Sequence, residues 1–395
     1  VKSEGWRSND RIVFVVVLAS AYVVAVGYSV VLPFLPGLVG RAADAGDAAA
    51  RARTVGGLVA AFSAAALMLS PAWGWLSDRW GRRPVLLLGM TGFAATLALS
   101  AWDDSLWRLY LYRGLNGAFS AAVTPVAFAF VADRSADDLD RARRFAWLNA
   151  LVLAGYLTGP LVGELAARIG PAVPLLGPAA IVGLCAGLAA VALPRSREGT
   201  HMATPPRARA GGHLAGLLVI AAVAAGGIAA LEVVLALAPE SRGLSRSSVS
   251  LLLSLCGLAM FAAQILQITG RRVAAGGSRL FRSALVILAL ALAAAAMAKG
   301  PWALAALVAV AAWSAATLGL VTNYLVSELS PGRQGTGLGL QYAAANAGQI
   351  VGPVAAGWTP GGGALVLWSA AALSFVLALG QWRSGRSLRT TPGAT

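Results

Sequence analysis

Residues 12–36 contain no charged side chain, and further stretches of similar length and apolar character recur along the chain. About 20 apolar residues is the length an α-helix needs to cross the hydrocarbon core of a bilayer. A helix also satisfies its own backbone hydrogen bonds there, which isolated loops and open strands cannot do. The strands of a membrane barrel would alternate in polarity over about ten residues, whereas these runs are apolar all round. The sequence therefore predicts an all-α integral membrane fold. Twelve transmembrane helices are expected, at 12–36, 54–76, 84–101, 107–132, 145–167, 173–193, 214–238, 248–269, 280–298, 301–326, 336–357 and 363–382.

Composition agrees with lipid as the solvent. The 395 residues are 58% hydrophobic and 12% charged, where soluble domains are about 45–50% apolar and about 25% charged. The formal charge of +15 would suggest nucleic acid in a soluble protein. Here the arginines sit in short loops between spans, so the charge reads as a topology signal and no nucleic-acid partner is expected. Cys185 and Cys256 lie inside apolar runs and read as small core residues. His201 and His213 flank the central loop without metal-ligand spacing, and no metal or cofactor is expected. Residues 1–11 lead into the first run with no evident cleavage site, so that run reads as an uncleaved span. The abundance of Ala and Arg and the scarcity of Lys point to a GC-rich bacterial genome, and the expected location is a bacterial inner membrane.

The chain divides near its middle. The stretch 194–213, "PRSREGTHMATPPRARAGGH", is rich in Pro, Arg and Gly and reads as a linker. It separates a six-helix half, 1–193, from a second six-helix half, 214–395. Most of the Lys and Arg residues fall in the N-terminus, the even-numbered loops and the C-terminus, which the positive-inside rule makes cytoplasmic. Both termini are then inside. The halves also echo each other: "GYLTGPLVG" (155–163) matches "GQIVGPVAAG" (348–357), and "SAAVTPVAF" (120–128) matches "SAATLGLVT" (314–322). Internal duplication of this kind marks secondary transporters, whose site lies between repeats near mid-membrane. Two pseudo-symmetric halves are expected.

One short stretch concentrates charge. In "GWLSDRWGRRP" (74–84), Asp78, Arg79, Arg82 and Arg83 crowd between two apolar runs. Gly74 and Gly81 allow a tight turn and a close approach of helix ends, and Pro84 suits the first turn of the next helix. Asp78 can accept hydrogen bonds from that helix start or from an arginine on a neighbouring span, and the arginines can anchor to an anionic leaflet. The stretch resembles the hallmark loop of the major facilitator superfamily, Gly-x-x-x-Asp-Arg-x-Gly-Arg-Arg, at Gly74, Asp78, Arg79, Gly81, Arg82 and Arg83. The resemblance extends over the whole chain. It implies that this loop is a conformational latch favouring the outward-facing state. The corresponding loop of the second half, "TGRRVAAGGSRLFR" (269–282), has basic residues and no acid, which predicts a stronger latch in the first half.

Two more matches narrow the resemblance to the twelve-span drug/proton antiporters, the multidrug and tetracycline exporters. "RGLNG" (113–117) resembles the family's Arg-x-x-x-Gly motif, which implies a proton-coupling role for Arg113. "GYLTGPLVGE" (155–164) resembles the antiporter motif at Gly155, Gly159, Pro160 and Gly163, with Glu164 where that motif ends in Gly. Its glycines permit close helix contact and Pro160 can bend the helix. "GYSVVLPFLP" (27–36) also resembles these exporters, but the acid they carry in that helix is Val24 here when Pro33 is aligned.

Charges inside a membrane cost at least ~2.5–3.5 kcal/mol and mark functional sites. Of the charges inside the expected spans, three are singled out: Arg113, Glu164 and Glu232. Glu232 is the leading proton carrier, because an apolar wall favours the neutral carboxyl and lets it bind a proton near neutral pH. The bland alternative pairs it with a loop arginine such as Arg242. Tyr28, Asn116, Gln264, Gln267, Asn323, Tyr324, Tyr342 and Asn346 are the neutral polar residues expected to line a cavity or bridge helices; Gln264 and Gln267 share one helical face. Together these features predict a monomeric, non-enzymatic exporter. It would exchange protons for a lipophilic or cationic organic compound, drug-like or a natural product, by alternating access. A proton-coupled importer or exporter of a small metabolite such as a sugar is the second reading.

Overall fold

The computed structural model describes residues 8–42, 48–102, 105–170, 172–195, 208–237, 244–359 and 364–383. Among these, thirteen α-helices and one short 3₁₀ turn account for the secondary structure, and no strand occurs. In chain order they are α1 (Ser8–Val31), α2 (Leu35–Ala42), α3 (Ala48–Trp80), α4 (Arg82–Leu99), α5 (Leu106–Asp133), α6 (Asp138–Ala167) and α7 (Val173–Ala192). There follow α8 (Ala208–Leu237), α9 (Arg246–Leu266), α10 (Arg271–Met297), α11 (Pro301–Leu329), α12 (Gln334–Trp358) and α13 (Ala364–Arg383).

Every segment predicted from the sequence falls on a helix, with two local differences. The first segment is divided, because α1 gives way to a 3₁₀ turn at Leu32–Phe34 before α2 resumes. Pro33, in the first turn of that 3₁₀ element, lacks the N–H that an uninterrupted α-helix needs. Several helices also overrun their predicted ends. α6 starts at Asp138, ahead of the apolar run, with Asp138 and Asp140 in its first turn, where negative charge favours the helix dipole. Hydropathy marks where lipid begins, and the helix itself continues into polar sequence.

Among the described residues, nine helices are long and apolar enough to cross a membrane, those within α1, α3, α5, α6, α7, α8, α9, α10 and α11. α4 opens with Arg82 and Arg83, and α12 carries Gln334, Gln341, Asn346 and Gln349, which lowers their hydropathy. The apolar part of α13, Ala364–Gly380, is shorter. Most of the 194–213 linker lies outside the described residues.

The chain forms two compact units. The first comprises residues 1–135, 147–211 and 326–346, and the second 136–146, 212–325 and 347–395. In the first, α3 and α4 pack on α5, and α1 and α4 pack on α7. α4 turns a fully buried stripe of Leu86, Met90, Phe93 and Leu97 inward. In the second, α10 packs on α13 and buries Phe281, Leu285, Leu288 and Leu292. Both stripes follow the four-three-four spacing of one helical face, so the two helices use the same pattern. Many apolar side chains stay on the surface, among them Leu161, Leu184, Val191, Leu251, Leu290 and Trp302. Exposed apolar surface on this scale belongs against lipid.

Candidate functional site

The charged loop is built by one glycine. Gly81 has φ +96°, a conformation open to glycine at little cost, and its N–H closes on the Ser77 carbonyl at 3.1 Å. The turn sets Asp78 on the last turn of α3 and Arg82 at the start of α4. Asp78 then accepts hydrogen bonds from Gly335 N–H at 2.9 Å, Thr336 N–H at 2.8 Å and the Thr336 hydroxyl at 2.6 Å. It also pairs with the Arg82 guanidinium. Gly335 and Thr336 open α12, and their N–H groups are among the first-turn donors that lack a partner within a helix. Asp78 is thus an external cap on a distant helix, and its charge faces the positive end of that helix dipole.

Of the two partners read for Asp78, an arginine on a neighbouring span is present as Arg82 of α4, while the helix start that donates to it is not the following one. The served helix is α12, because Gly74 of α3 lies directly on the Gly335 backbone with no space for a Cβ on either. Gly339, one turn on, lies equally close to the Ser70 carbonyl. Arg82 is shared among three groups. Its Nε donates to Asp133 Oδ2 at 2.8 Å, and Nη1 donates both to the Ser77 hydroxyl at 2.8 Å and to Asp78 Oδ1. Burial works against this guanidinium, and Asp133 and Asp78 outweigh burial and hold its pKa above the ordinary value. Arg83 donates to the Ala190 carbonyl near the end of α7. Arg79 stays exposed beside the Trp75 ring at 5.5 Å. Gly335, Thr336, Ser77 and Asp133 were not singled out by the sequence; the only hint was the capping need of any helix start.

The second loop is arranged differently. Gly270 has φ +68°, and a Cβ there would come within 2.7 Å of Arg143 N and 3.0 Å of the Leu139 carbonyl, on the first turns of α6. The acid at this place is Asp140 of α6, paired with Arg144 at 2.8 Å.

The antiporter-like glycines form a helix seam in the first unit. Gly155 lies against the Tyr22 carbonyl and Ala25, Gly159 against Ser29 and the Val26 carbonyl, and Gly163 against the Phe34 ring. The Ser29 hydroxyl donates to the Gly155 carbonyl at 3.0 Å, and the Tyr22 and Thr158 hydroxyls pair at 3.1 Å. These contacts join α6 to α1 and the Phe34 turn. α6 continues through Pro160, whose ring is exposed. In the second unit the echoed motif does the same work. Gly348 of α12 rests on the Ala222 carbonyl of α8, and Gly352 on the Gly226 carbonyl.

Arg113 of α5 is buried in the first unit. Its guanidinium carbon lies 4.9 Å from the Phe62 ring centre and 5.8 Å from that of Tyr28. Such cation–π contacts contribute about 0.5–2 kcal/mol, less than the several kcal/mol that desolvating a charge costs. One turn away, Asn116 Nδ2 donates to the Phe93 carbonyl at 3.2 Å and to the Thr96 hydroxyl at 3.1 Å. Tyr28 also meets Tyr156 edge-on, with ring centres 5.7 Å apart. Tyr156 lies near Tyr342, and Tyr342 near Ser120 and Thr124 of α5. Asn346 Nδ2 donates to the Tyr342 carbonyl at 2.8 Å. Tyr28, Asn116, Tyr342 and Asn346 are therefore gathered in one unit, with Phe62 and Tyr156 as members the sequence did not single out.

Glu232, half-buried on α8 of the second unit, accepts a hydrogen bond from the Cys256 thiol of α9 at 3.5 Å. Cys256, read from sequence as a core filler, is thus a neighbour of the leading carboxylate. Arg242 lies outside the described residues. Gln264 Nε2 donates to the Ala316 carbonyl at 2.9 Å and Gln267 Nε2 to the Thr317 hydroxyl at 2.9 Å, so both tie α9 to α11. Asn323 and Tyr324 are buried on α11. Glu164 stands apart, exposed near the end of α6. Among the described residues no group of three or more His, Cys, Asp or Glu comes together to hold a metal.

Comparison with known proteins agrees with this architecture. The family model described as Major Facilitator Superfamily matches residues 17–274, more than half of the chain. The chain is 35% identical over 205 residues to the class C tetracycline resistance protein of Escherichia coli, covering 51% of this chain and 49% of that one. It is 26% identical over 174 residues to multidrug resistance protein 2 of Bacillus subtilis, covering 44% and 42%. The matched region thus spans about half the length of these curated relatives or less. Among solved structures, the human organic anion transporter MFSD10 superposes with a TM-score of 0.78 at 20% identity, covering 95% of this chain and 100% of that one. A proton:xylose symporter superposes with a TM-score of 0.70 at 19% identity, covering 95% and 96%. With helices fit to span a bilayer, the glycine-built loop and the matched family region, this chain is a multi-pass membrane protein that belongs to the major facilitator superfamily.

Proposed function

We propose that the chain is a secondary active transporter that exports a lipophilic or cationic organic compound, drug-like or a natural product, in exchange for protons. In this reading it has twelve spans in two related halves, 1–193 and 214–395, joined by the 194–213 linker, with both termini cytoplasmic in a bacterial inner membrane. It works as a monomer by alternating access and carries out no covalent chemistry. The tetracycline and multidrug resistance relatives support export.

The observation that carries proton exchange is Glu232. It is a carboxylate on an apolar helix, half-buried, with a thiol as its hydrogen-bond donor. Such a group binds a proton when its surroundings dry and releases one when water or a competing ligand arrives. The Asp78 cap on α12 supplies the conformational element: a charge pair and helix start that must separate if the loop leaves α12. Through the family resemblance, Arg113 takes a coupling or gating role, and Glu164 is the alternative carboxylate.

The test uses everted vesicles holding an acid-inside pH gradient reported by a quenched dye. Addition of a panel of lipophilic compounds is expected to release protons from vesicles with the unaltered chain and not from those with Glu232→Gln. Release that persists in Glu232→Gln would move the proton to Glu164. Absence of release with every compound would overturn antiport.

A further inference from the structure

The arginines of residues 74–84 do different work. Arg82 is spent on Asp78, Asp133 and Ser77, and Arg83 on the Ala190 carbonyl. Arg79, in the last turn of α3, is exposed. Among the described residues its neighbour is the Trp75 ring, 5.5 Å from the guanidinium carbon, and no carboxylate pairs with it. A ring face attracts the charge but leaves the N–H donors for an oxygen acceptor.

Arg79 also ends a stripe that faces lipid. Met68, Ala72, Trp75 and Arg79 follow the four-three-four spacing of one helical face, and all four are exposed. Trp80, the last residue of α3, is exposed too. The apolar part of this helix, Arg53–Trp80, has 28 residues. At ~1.5 Å per residue it is ~42 Å long, which matches the ~40–45 Å of a bilayer with its headgroup layers. The end of the span therefore lies at headgroup depth, where indole rings are enriched. Three arginines against one aspartate leave 74–84 positive, which favours an anionic headgroup over a zwitterionic one.

We propose that Arg79 and Trp75 form a binding site for the phosphate of an anionic phospholipid, whose acyl chains run along Trp75, Ala72 and Met68. The guanidinium donates paired N–H groups to the phosphate oxygens, and the indole steadies the guanidinium at that depth. Asp78, the next residue back, caps α12, so one helical turn holds both the lipid and the distant helix start. Nothing in this depends on the substrate or the direction of transport.

The experiment titrates the purified full chain in detergent with phosphatidylglycerol or phosphatidylcholine of identical acyl chains and counts bound lipids by native mass spectrometry. Phosphatidylglycerol is expected to bind about 5-fold more tightly, the size of effect one basic residue has at an anionic surface. Arg79→Gln should remove that preference, Arg79→Lys should keep most of it, and Trp75→Leu should weaken it. Arg168→Gln, which takes away one exposed charge just past the end of α6, should leave it unchanged. Equal binding of the two lipids to the unaltered chain would overturn the site. So would a preference that survives Arg79→Gln, or an equal loss in Arg168→Gln, which would reduce the effect to net charge. Displacement of the lipid by an equal concentration of glycerol phosphate would show a site for a free ion and overturn the lipid as its occupant. Melting without added lipid should be the same for Arg79→Gln and the unaltered chain, and phosphatidylglycerol should raise the melting temperature of the unaltered chain more. A fall of several degrees in Arg79→Gln without lipid would make the guanidinium a structural group and also overturn the proposal.

Discussion

The Asp78 carboxylate accepts the backbone N–H of Thr336 at 2.8 Å, across 258 residues of sequence. The Thr336 hydroxyl and Gly335 N–H converge on the same carboxylate. Hydrogen bonds to a charged group contribute about 1.5–3 kcal/mol each. Asp78→Asn retains the shape and loses the charge, so it should lower stability by about 1–3 kcal/mol and depress transport more strongly than stability. Melting and flux measured on the same preparation check this; unchanged flux at lowered stability would reduce the cap to a packing contact.

Arg82 couples two carboxylates and a serine hydroxyl. Lys presents a point charge and cannot serve these directions together, so Arg82→Lys should behave more like Arg82→Ala than like the unaltered chain. A double-mutant cycle of Arg82→Ala with Asp133→Ala should give a coupling energy of about 0.5–3 kcal/mol. Additive effects would mean the pair is solvated and energetically idle.

Gly159 has no space for a Cβ because the Ser29 hydroxyl fills it. Gly159→Ala should destabilise by about 1–3 kcal/mol through overpacking. Adding Ser29→Ala should recover part of that loss, since it removes the obstructing oxygen. Chemical unfolding of the two single variants and the double variant decides the point: no recovery would place the strain against the Val26 carbonyl instead.

Gln264 and Gln267 are buried and bonded to α11. Their loss should act on stability, at about 0.5–1.5 kcal/mol for each hydrogen bond, and leave KM for transported compounds unchanged. A changed KM in Gln264→Leu or Gln267→Leu would return these residues to the cavity wall.

Much of the fold is legible in the sequence. Hydrophobic runs located a helix under each predicted segment, because lipid requires apolar side chains on every face over a fixed length. Gly81 acted where a positive φ leaves few alternatives, whereas the break at Pro33 was not foreseen. The glycines at 155, 159 and 163 announced a close helix contact, since packing that near tolerates no side chain.

Partners were not legible. Apolar helices carry residues of one kind all round, so periodicity does not distinguish the face that meets a neighbour from the face that meets lipid. Sequence alone determined that Asp78 needed donors, that Glu232 and Arg113 were costly in a membrane, and that the chain belongs in lipid. Only the tertiary structure decided that the donors come from Gly335 and Thr336, that Glu232 meets Cys256, and that Arg113 is buried beside the Phe62 and Tyr28 rings. Covalent chemistry and solvent set what each residue requires, while packing between distant helices sets which residue supplies it.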